Sequence, residues 1–497
     1  MSEAVRSGIA AGVDVATQGV RVACVDERGR TVASAAVALP PPRRPAPGWA
    51  EQDARAWWPA AAEALRRATG ALGPDRGRIV AVAAATTSGT VVLADSAGEP
   101  VGPALLYDDR RAAVEAERAQ ELGRERWEAL GLRIGPSFTI AKLAWLARRG
   151  ALVGVAHAWG ESDLVVARLL GEPPPTDWSH ALKSGYDLLR REWPSEVYEA
   201  LGVPARLLPR VQPPASLAGR VCAAAARETG LPEGCEVRLG MTDGCAAQLA
   251  GGAVSPGRFV SVLGTTLVIK GATRELVRDP AGVVYSHLHP DGWWLPGGAS
   301  NTGGEALAAR YAGADLAALD RAAAARGPAA CLSYPLVRSG ERFPFLAPTA
   351  EGFVVGEPVD EVEAYRAALE GVAFLERLAY DHLSALGASP EGPIATAGGA
   401  SRSRVWNRIR ATVLGRPLAV PASPTSAFGA ALLAAAGTMH ENLTAAAAAM
   451  VEIREEVAPE EREEAALRES YARFVEELRG RGWLGGTAVR EPATSAI

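Results

Sequence analysis

The stretch GVDVATQGVRVACVD, residues 12–26, decides the reading of the fold. Apolar runs flank Thr17-Gln18-Gly19 and a second break follows at Glu27-Arg28-Gly29, so residues 9–37 read as three short strands in a meander. Asp14 and Thr17 stand at the first turn beside small residues. Small residues let backbone N–H groups reach an anion's oxygens without a Cβ in the way, and hydroxyls add donors. A purely conformational turn uses the same residue types. Taken alone, the hairpin is either a decorated turn or one jaw of a phosphate clamp.

Outward from the hairpin, EQDARAWWPAAAEALRRATGAL has helical spacing, and RIVAVAAATT and GTVVLAD read as strands, giving β-β-β-α-β. Residues 110–250 are mostly helical in pattern, broken by Pro-rich turns, and end in EVRLGMTDGCAAQLAGG, a strand, a turn and a small-residue helix. GRFVSVLGTTLVIKGATREL then repeats the opening hairpin: strand, Gly-Thr-Thr turn, strand. After an amphipathic helix over residues 359–386, PIATAGGASRSRVWNRIRATVLGRPLAV reads as a strand, a Gly-Gly turn and a helix, and AFGAALLAAAG as a further helix. LTAAAAAM and the charged segment 451–479 read as terminal helices, with tag-like or disordered character confined to the last ten or so residues. Two halves that each open on such a hairpin imply a duplicated α/β unit with a cleft between the copies, divided near Ala253 into 1–253 and 254–497.

The bulk properties narrow the function. A chain of 497 residues exceeds one compact core. With 48% hydrophobic residues, 22% charged residues and a net charge of −5, it lacks the positive field of a nucleic-acid binder. The five cysteines form no CxxC pair, which suggests neither a zinc cage nor a disulfide framework and fits a cytoplasmic location. There is no apolar run of about 18 residues for a membrane span. The sequence leaves oligomeric state open, a homodimer included.

Order and spacing change the weight of the separate turns. Asp14–Thr17 on a hairpin, Asp243 at a turn before a helix, Gly264–Thr266 on a second hairpin and GGAS at 398–401 form a set. With GWAEQDARAWW, FTIAKLAWL, GGASNTGG and GERFPF, that set resembles the FGGY carbohydrate kinases of the actin-like ATPase superfamily over residues 12–437. The resemblance implies an α/β fold of two ribonuclease H-like domains with an interdomain cleft that closes on ATP and a sugar. Carried over by position, Thr17, Gln18 and Arg21 would meet the terminal phosphates from one side, and Gly264, Thr265 and Thr266 from the other. Gly298, Thr302, Gly399 and Ser403 would lie along the adenosine. Asp14 would hold Mg²⁺ directly or through water, at the edge of the substrate site, and Asp243 would be the catalytic base. Phosphoryl transfer to a hydroxyl needs charge compensation, an in-line acceptor and a carboxylate to take the proton, so the residue chemistry agrees.

Two positions depart from the family's usual pattern: Ala16 stands where glycine is usual, and Pro424 where an acidic residue is common. Xylulokinases of this family carry a Met-His pair where this chain has Ser88-Gly89, and TSGT resembles a ribulokinase-like branch. That likeness favours D-ribulose as substrate, with D-xylulose as the alternative, then another ketose or polyol. Ser88 is either a sugar ligand or a turn residue. Asp108 and Asp109 read as charges at a helix N-terminus. His287 and His289 read as alternate residues of a strand, one inward and one outward, Trp293-Trp294 as core or cleft wall, and ERFPFLAP as a structural loop.

Overall fold

The structure, a computed structural model, describes residues 7–484. The meander forms where the alternation places it: Ile9–Ala16, Gly19–Asp26 and Thr31–Ala38 pair antiparallel. Ala16 faces Gly19, so Thr17 and Gln18 alone make the loop of the first hairpin. Ile79–Thr86 pairs parallel to the first strand, Glu236–Arg238 parallel to Ile79–Thr86, and Leu217–Arg220 antiparallel at the edge. The first strand is apolar nearly throughout because both faces of the sheet are covered.

The second sheet repeats this plan. Phe259–Leu263 and Leu267–Gly271 form the hairpin, and Trp294–Ala299 lies antiparallel beside it. Ile394–Ala397 then pairs parallel to Phe259–Leu263, Leu418–Pro421 parallel to Ile394–Ala397, and Ile453–Val457 antiparallel at the edge. Both sheets thus run as an antiparallel meander, two parallel strands and an antiparallel edge strand, which is the internal duplication expected from the two hairpins.

The chain divides into two compact units that are not its two continuous halves. Unit 1 comprises Met1–Val254 together with Ser286–Leu295 and Ser423–Glu452; unit 2 comprises Ser255–Tyr285, Pro296–Ala422 and Ile453–Ile497. Close backbone approach explains why residues 423–452 belong to unit 1. A Cβ added at Gly12 in the first strand would lie 1.9 Å from the carbonyl oxygen of Ala427. The helix Ser426–Ala435 therefore crosses the strand at backbone distance, and its Ala- and Gly-rich sequence is what that approach requires.

In unit 2 the helix Glu361–Ala385 runs through the core. Beside it Arg410 and Glu376, both fully buried, form a two-pronged ion pair at 2.6 and 2.9 Å. The segment read as terminal helix begins instead as the strand Ile453–Val457 before the helix Glu461–Gly480. Its charges suit an exposed sheet edge, where they discourage pairing with another chain. The expectation for the last ten or so residues falls outside the described residues. Among the described residues no helix is long and apolar enough to cross a membrane.

Candidate active site

In unit 1, the ends of adjacent strands gather the acidic residues. Asp14 sits near the end of the first strand, opposite Arg21 in register. Ile79–Thr86 lies beside that strand, and its last residue, Thr86, bridges in parallel to Thr242. Asp243, the next residue, opens the helix Asp243–Ala250 with Thr242 as its N-cap. The carboxylate therefore stands where parallel strands end and a helix begins, the common place for sites in α/β sheets. Asp243 is half-buried, and its Oδ1 accepts the Gly244 N–H at 2.7 Å.

Asp14 is buried, and burial followed by the nearby Asp243 carboxylate pushes its pKa up to about 6. Arg21 opposes that shift from 3.4 Å, but its side chain is 56% exposed, so it compensates the charge only in part. Thr17 is half-buried and Gln18 exposed at the loop tip. Ala16 keeps an ordinary negative φ: the non-glycine residues of positive φ among those described are Arg191 and Ala215. The alanine is therefore no obstacle to the hairpin's geometry. Pro424 lies just ahead of Thr425, the residue that caps the helix Ser426–Ala435.

Behind these strand ends lies a layer of buried polar groups with no counterpart in the sequence reading. Asp177 and His180 bond to each other, and His180 Nε2 meets Thr86 Oγ1 at 2.9 Å. Ser179 donates to Asp177 and accepts the Thr242 N–H at 3.1 Å, so this short helix braces the residue that precedes Asp243. Burial works against charge on His180, but Asp177 outweighs it and raises the imidazole's pKa to about 9. The Asp-x-x-His spacing within TDWSH is the one local signal that could have pointed here.

Glu161 is buried as well and accepts both the Thr87 N–H, at 3.1 Å, and the Thr87 hydroxyl, at 2.7 Å. Burial is the main cause that pushes its pKa up to about 8, and Asp243 adds to it. A carboxyl raised above its unfolded value binds an extra proton in the folded chain, so its stabilising contribution fades as pH rises through about 8. Glu161→Gln keeps the acceptor and is never charged. Its melting temperature is expected to fall less than the wild type's between pH 6 and pH 9; parallel curves in thermal melts would refute this.

Ser88 is half-buried at the turn after Ile79–Thr86, and Gly89 follows with φ +92°. The two aspartates read as helix-terminal charges are not that, since the next helix starts only at Ala113. Asp108 pairs with Arg44 at 2.7 Å. Asp109 is fully buried, accepts the Ala50 N–H at 2.6 Å and binds Arg111. Arg111 in turn lies 3.8 Å over the ring of Trp49, which meets Trp145 edge-on at 5.7 Å. GWAEQDARAWW and FTIAKLAWL, which carried part of the resemblance, are thus packed together in unit 1. His287 and His289 are both buried, and among the described residues no group of three or more His, Cys, Asp or Glu could hold a metal ion.

In unit 2, two of the predicted turns converge. Gly264 and Thr266 are half-buried and Thr265 exposed on the second hairpin. Residues 302–305 are laced onto this turn: Leu267 N–H donates to Thr302 O at 2.8 Å, Gly304 N–H to Gly264 O at 2.8 Å, and Glu305 N–H to Thr265 O at 3.1 Å. The Gly-Gly turn closes from the parallel strand, where Gly398 has φ +87° and a Cβ there would lie 2.4 Å from Leu263 O. Gly399 is exposed. Ser403 caps the helix Arg404–Leu414 by accepting the Trp406 N–H and donates to Asp320 at 2.6 Å.

Gly298 and Thr302 are placed differently from the other predicted nucleotide residues. A Cβ on Gly298 would strike the Phe343 ring at 2.3 Å, and Thr302 is buried with its hydroxyl donating to Glu341. Glu341, within GERFPF, is the hub that the sequence reading missed. Its buried carboxylate accepts from Ser300 and Tyr334 hydroxyls at 2.8 and 2.9 Å, from Thr302 at 3.0 Å, and from the Asn301 and Arg342 N–H groups at 2.7 and 2.9 Å.

A duplicated meander-plus-parallel sheet with small-residue hairpin turns is the α/β architecture of the actin-like ATPase fold. Comparison with known proteins agrees: residues 9–250 match the N-terminal domain, and residues 259–438 the C-terminal domain, of the FGGY family of carbohydrate kinases. The chain belongs to that family. It is 33% identical over 439 residues to the xylulose kinase of Streptomyces rubiginosus, covering 85% of this chain and 87% of that protein. To the glycerol kinase of Gloeobacter violaceus it is 30% identical over 452 residues, covering 87% and 88%. The crystal structure of xylulose kinase from Rhodospirillum rubrum superposes with a TM-score of 0.85 at 29% identity, covering 96% of this chain and 99% of that one.

Proposed function

We propose that this carbohydrate kinase transfers the γ-phosphoryl group of ATP to the terminal hydroxyl of a ketopentose, with D-xylulose as the preferred acceptor. The observation that carries the reading is the Asp14 and Asp243 pair: two carboxylates close enough for one to raise the other's pKa, the second at a helix start. Asp243 accepts the proton of the attacking hydroxyl. An ordinary carboxylate suffices, because a largely dissociative transition state needs little deprotonation before the bond to the leaving group breaks.

Asp14 suits Mg²⁺ by donor chemistry: a hard oxygen ligand, buried beside a second carboxylate and only partly balanced by Arg21. When bound, Mg²⁺ supplies charge compensation on the transferring phosphoryl group. Thr17, Gln18 and Arg21 of unit 1, and the amides and hydroxyls of Gly264, Thr265 and Thr266 of unit 2, bind terminal phosphate oxygens. Gly399 and Ser403 lie along the adenosine. Gly298 and Thr302 support the nucleotide turn from within unit 2, since the hydroxyl of Thr302 already serves Glu341.

The relatives that bear the name xylulose kinase support D-xylulose. D-ribulose is the second reading, favoured by Ser88-Gly89 at the turn where the family contacts its sugar. A coupled ADP-release assay on D-xylulose, D-ribulose, glycerol and gluconate separates them. D-xylulose is expected to lead in kcat/KM. A tenfold lead for D-ribulose, about 1.4 kcal/mol in transition-state binding, would reverse the assignment, and no stimulation by any acceptor would refute the kinase reading.

A further inference from the structure

Lys142 lies in FTIAKLAWL, on the helix Thr139–Arg148, and has no role in the chemistry above. Its side chain is fully buried and forms no ion pair among the described residues. Removing an ammonium group from water is costly, and an apolar residue would fill a helix core position at far lower cost. The burial has a specific use. Lys142 Nζ donates to Gly89 O at 2.8 Å and to Leu106 O at 2.5 Å.

Those two carbonyls flank one loop. Val91 and Leu105 exchange backbone hydrogen bonds at 3.0 and 2.9 Å just inside them, so Lys142 ties together the two ends of the segment 89–106. Gly89 presents its carbonyl from a left-handed conformation that few other residues adopt, and a Cβ there would meet Ser137 O at 2.7 Å. Ser88 is the residue immediately before. On the same turn Lys183 Nζ lies 3.5 Å from Ser88 O, so two lysines address consecutive carbonyls. Burial is the main cause that lowers the Lys142 pKa to about 7; Asp109 and Asp108 oppose it, and Lys183 and Arg111 add to it. Charged or neutral, the amine keeps enough hydrogens for both carbonyls.

We propose that Lys142 is a positioning residue for sugar binding: by holding the Gly89 carbonyl it sets where the Ser88 hydroxyl stands against the ketose. This rests on the sugar-kinase reading. The expected signature is selective. In full-length Lys142→Met, the KM for the ketopentose rises at least tenfold, while the KM for ATP and the kcat at saturating sugar stay within about twofold. Lys142→Gln, which retains one donor group, is expected to lie between the two and also serves should the methionine variant fail to fold.

Hydrogen exchange gives a readout independent of turnover: the variants should exchange faster at residues 88–91 and 105–106, with Thr17 and Gln18 unchanged. A lower melting temperature with unchanged sugar KM would overturn the proposal and leave Lys142 structural. A joint rise in sugar and ATP KM, or unchanged exchange at residues 88–91, would also overturn it. If the kinase reading itself fails, the wild type shows it first, as ADP release that no sugar stimulates.

Discussion

Asp243→Asn is expected to lower kcat by about 10²–10⁴-fold, with the KM values for sugar and ATP changed by less than about threefold. Asparagine keeps the size of the side chain and an oxygen for the Gly244 N–H that Asp243 now accepts. It removes the group that takes the proton, and so acts on the transition state and not on ground-state binding. The substitution also removes a negative charge that raises the Asp14 pKa, so Asp14 should remain ionised to lower pH in the variant. Steady-state kinetics of ADP release measure the first effect. A kcat within tenfold of wild type would exclude Asp243 as the base.

Glu341→Ala should strongly destabilise unit 2. It strands the three buried hydroxyl donors of Ser300, Thr302 and Tyr334, each costing about 1–3 kcal/mol when left unsatisfied, so the expected loss is about 3 kcal/mol or more. Glu341→Gln should be milder but still harmful, because its amide NH₂ would face donors. Of the donors to Glu341, three belong to Ser300, Asn301 and Thr302, the run that leads into residues laced onto Gly264 and Thr265. The glutamine variant is therefore expected to raise the KM for ATP severalfold before that for sugar. Denaturant titration and two-substrate kinetics test both parts; wild-type stability in the alanine variant would contradict the account.

What the sequence made legible was local and periodic. The hairpins at residues 14–21 and 260–270 follow from apolar alternation broken by small residues, and their recurrence exposed the duplicated sheet. The Gly-Gly turn and the start of the Asp243 helix were readable for the same reason. What escaped depends on partners far along the chain. Asp109 looked like a helix-terminal charge because its partner, the Ala50 N–H, is 59 residues away. Glu341 looked like part of a loop because its donors lie up to 41 residues distant. His180 finds Thr86 across 94 residues. The edge strand Ile453–Val457 was read as helix because its charges hid the alternation that a half-buried strand would show. The return of residues 423–452 to unit 1 depends on Gly12 and Ala427 touching backbone to backbone, which no local pattern announces.

The most direct test of the central claim is the identity of the product. Incubating the protein with ATP, Mg²⁺ and D-xylulose, and following the mixture by phosphorus and carbon NMR, reads both where the phosphoryl group goes and whether ADP appears in equal amount. The expected product is a phosphate monoester on the terminal carbon of the ketopentose, formed one for one with ADP and lost in Asp243→Asn. ADP with free phosphate and no sugar ester, or an ester at another position, would contradict it.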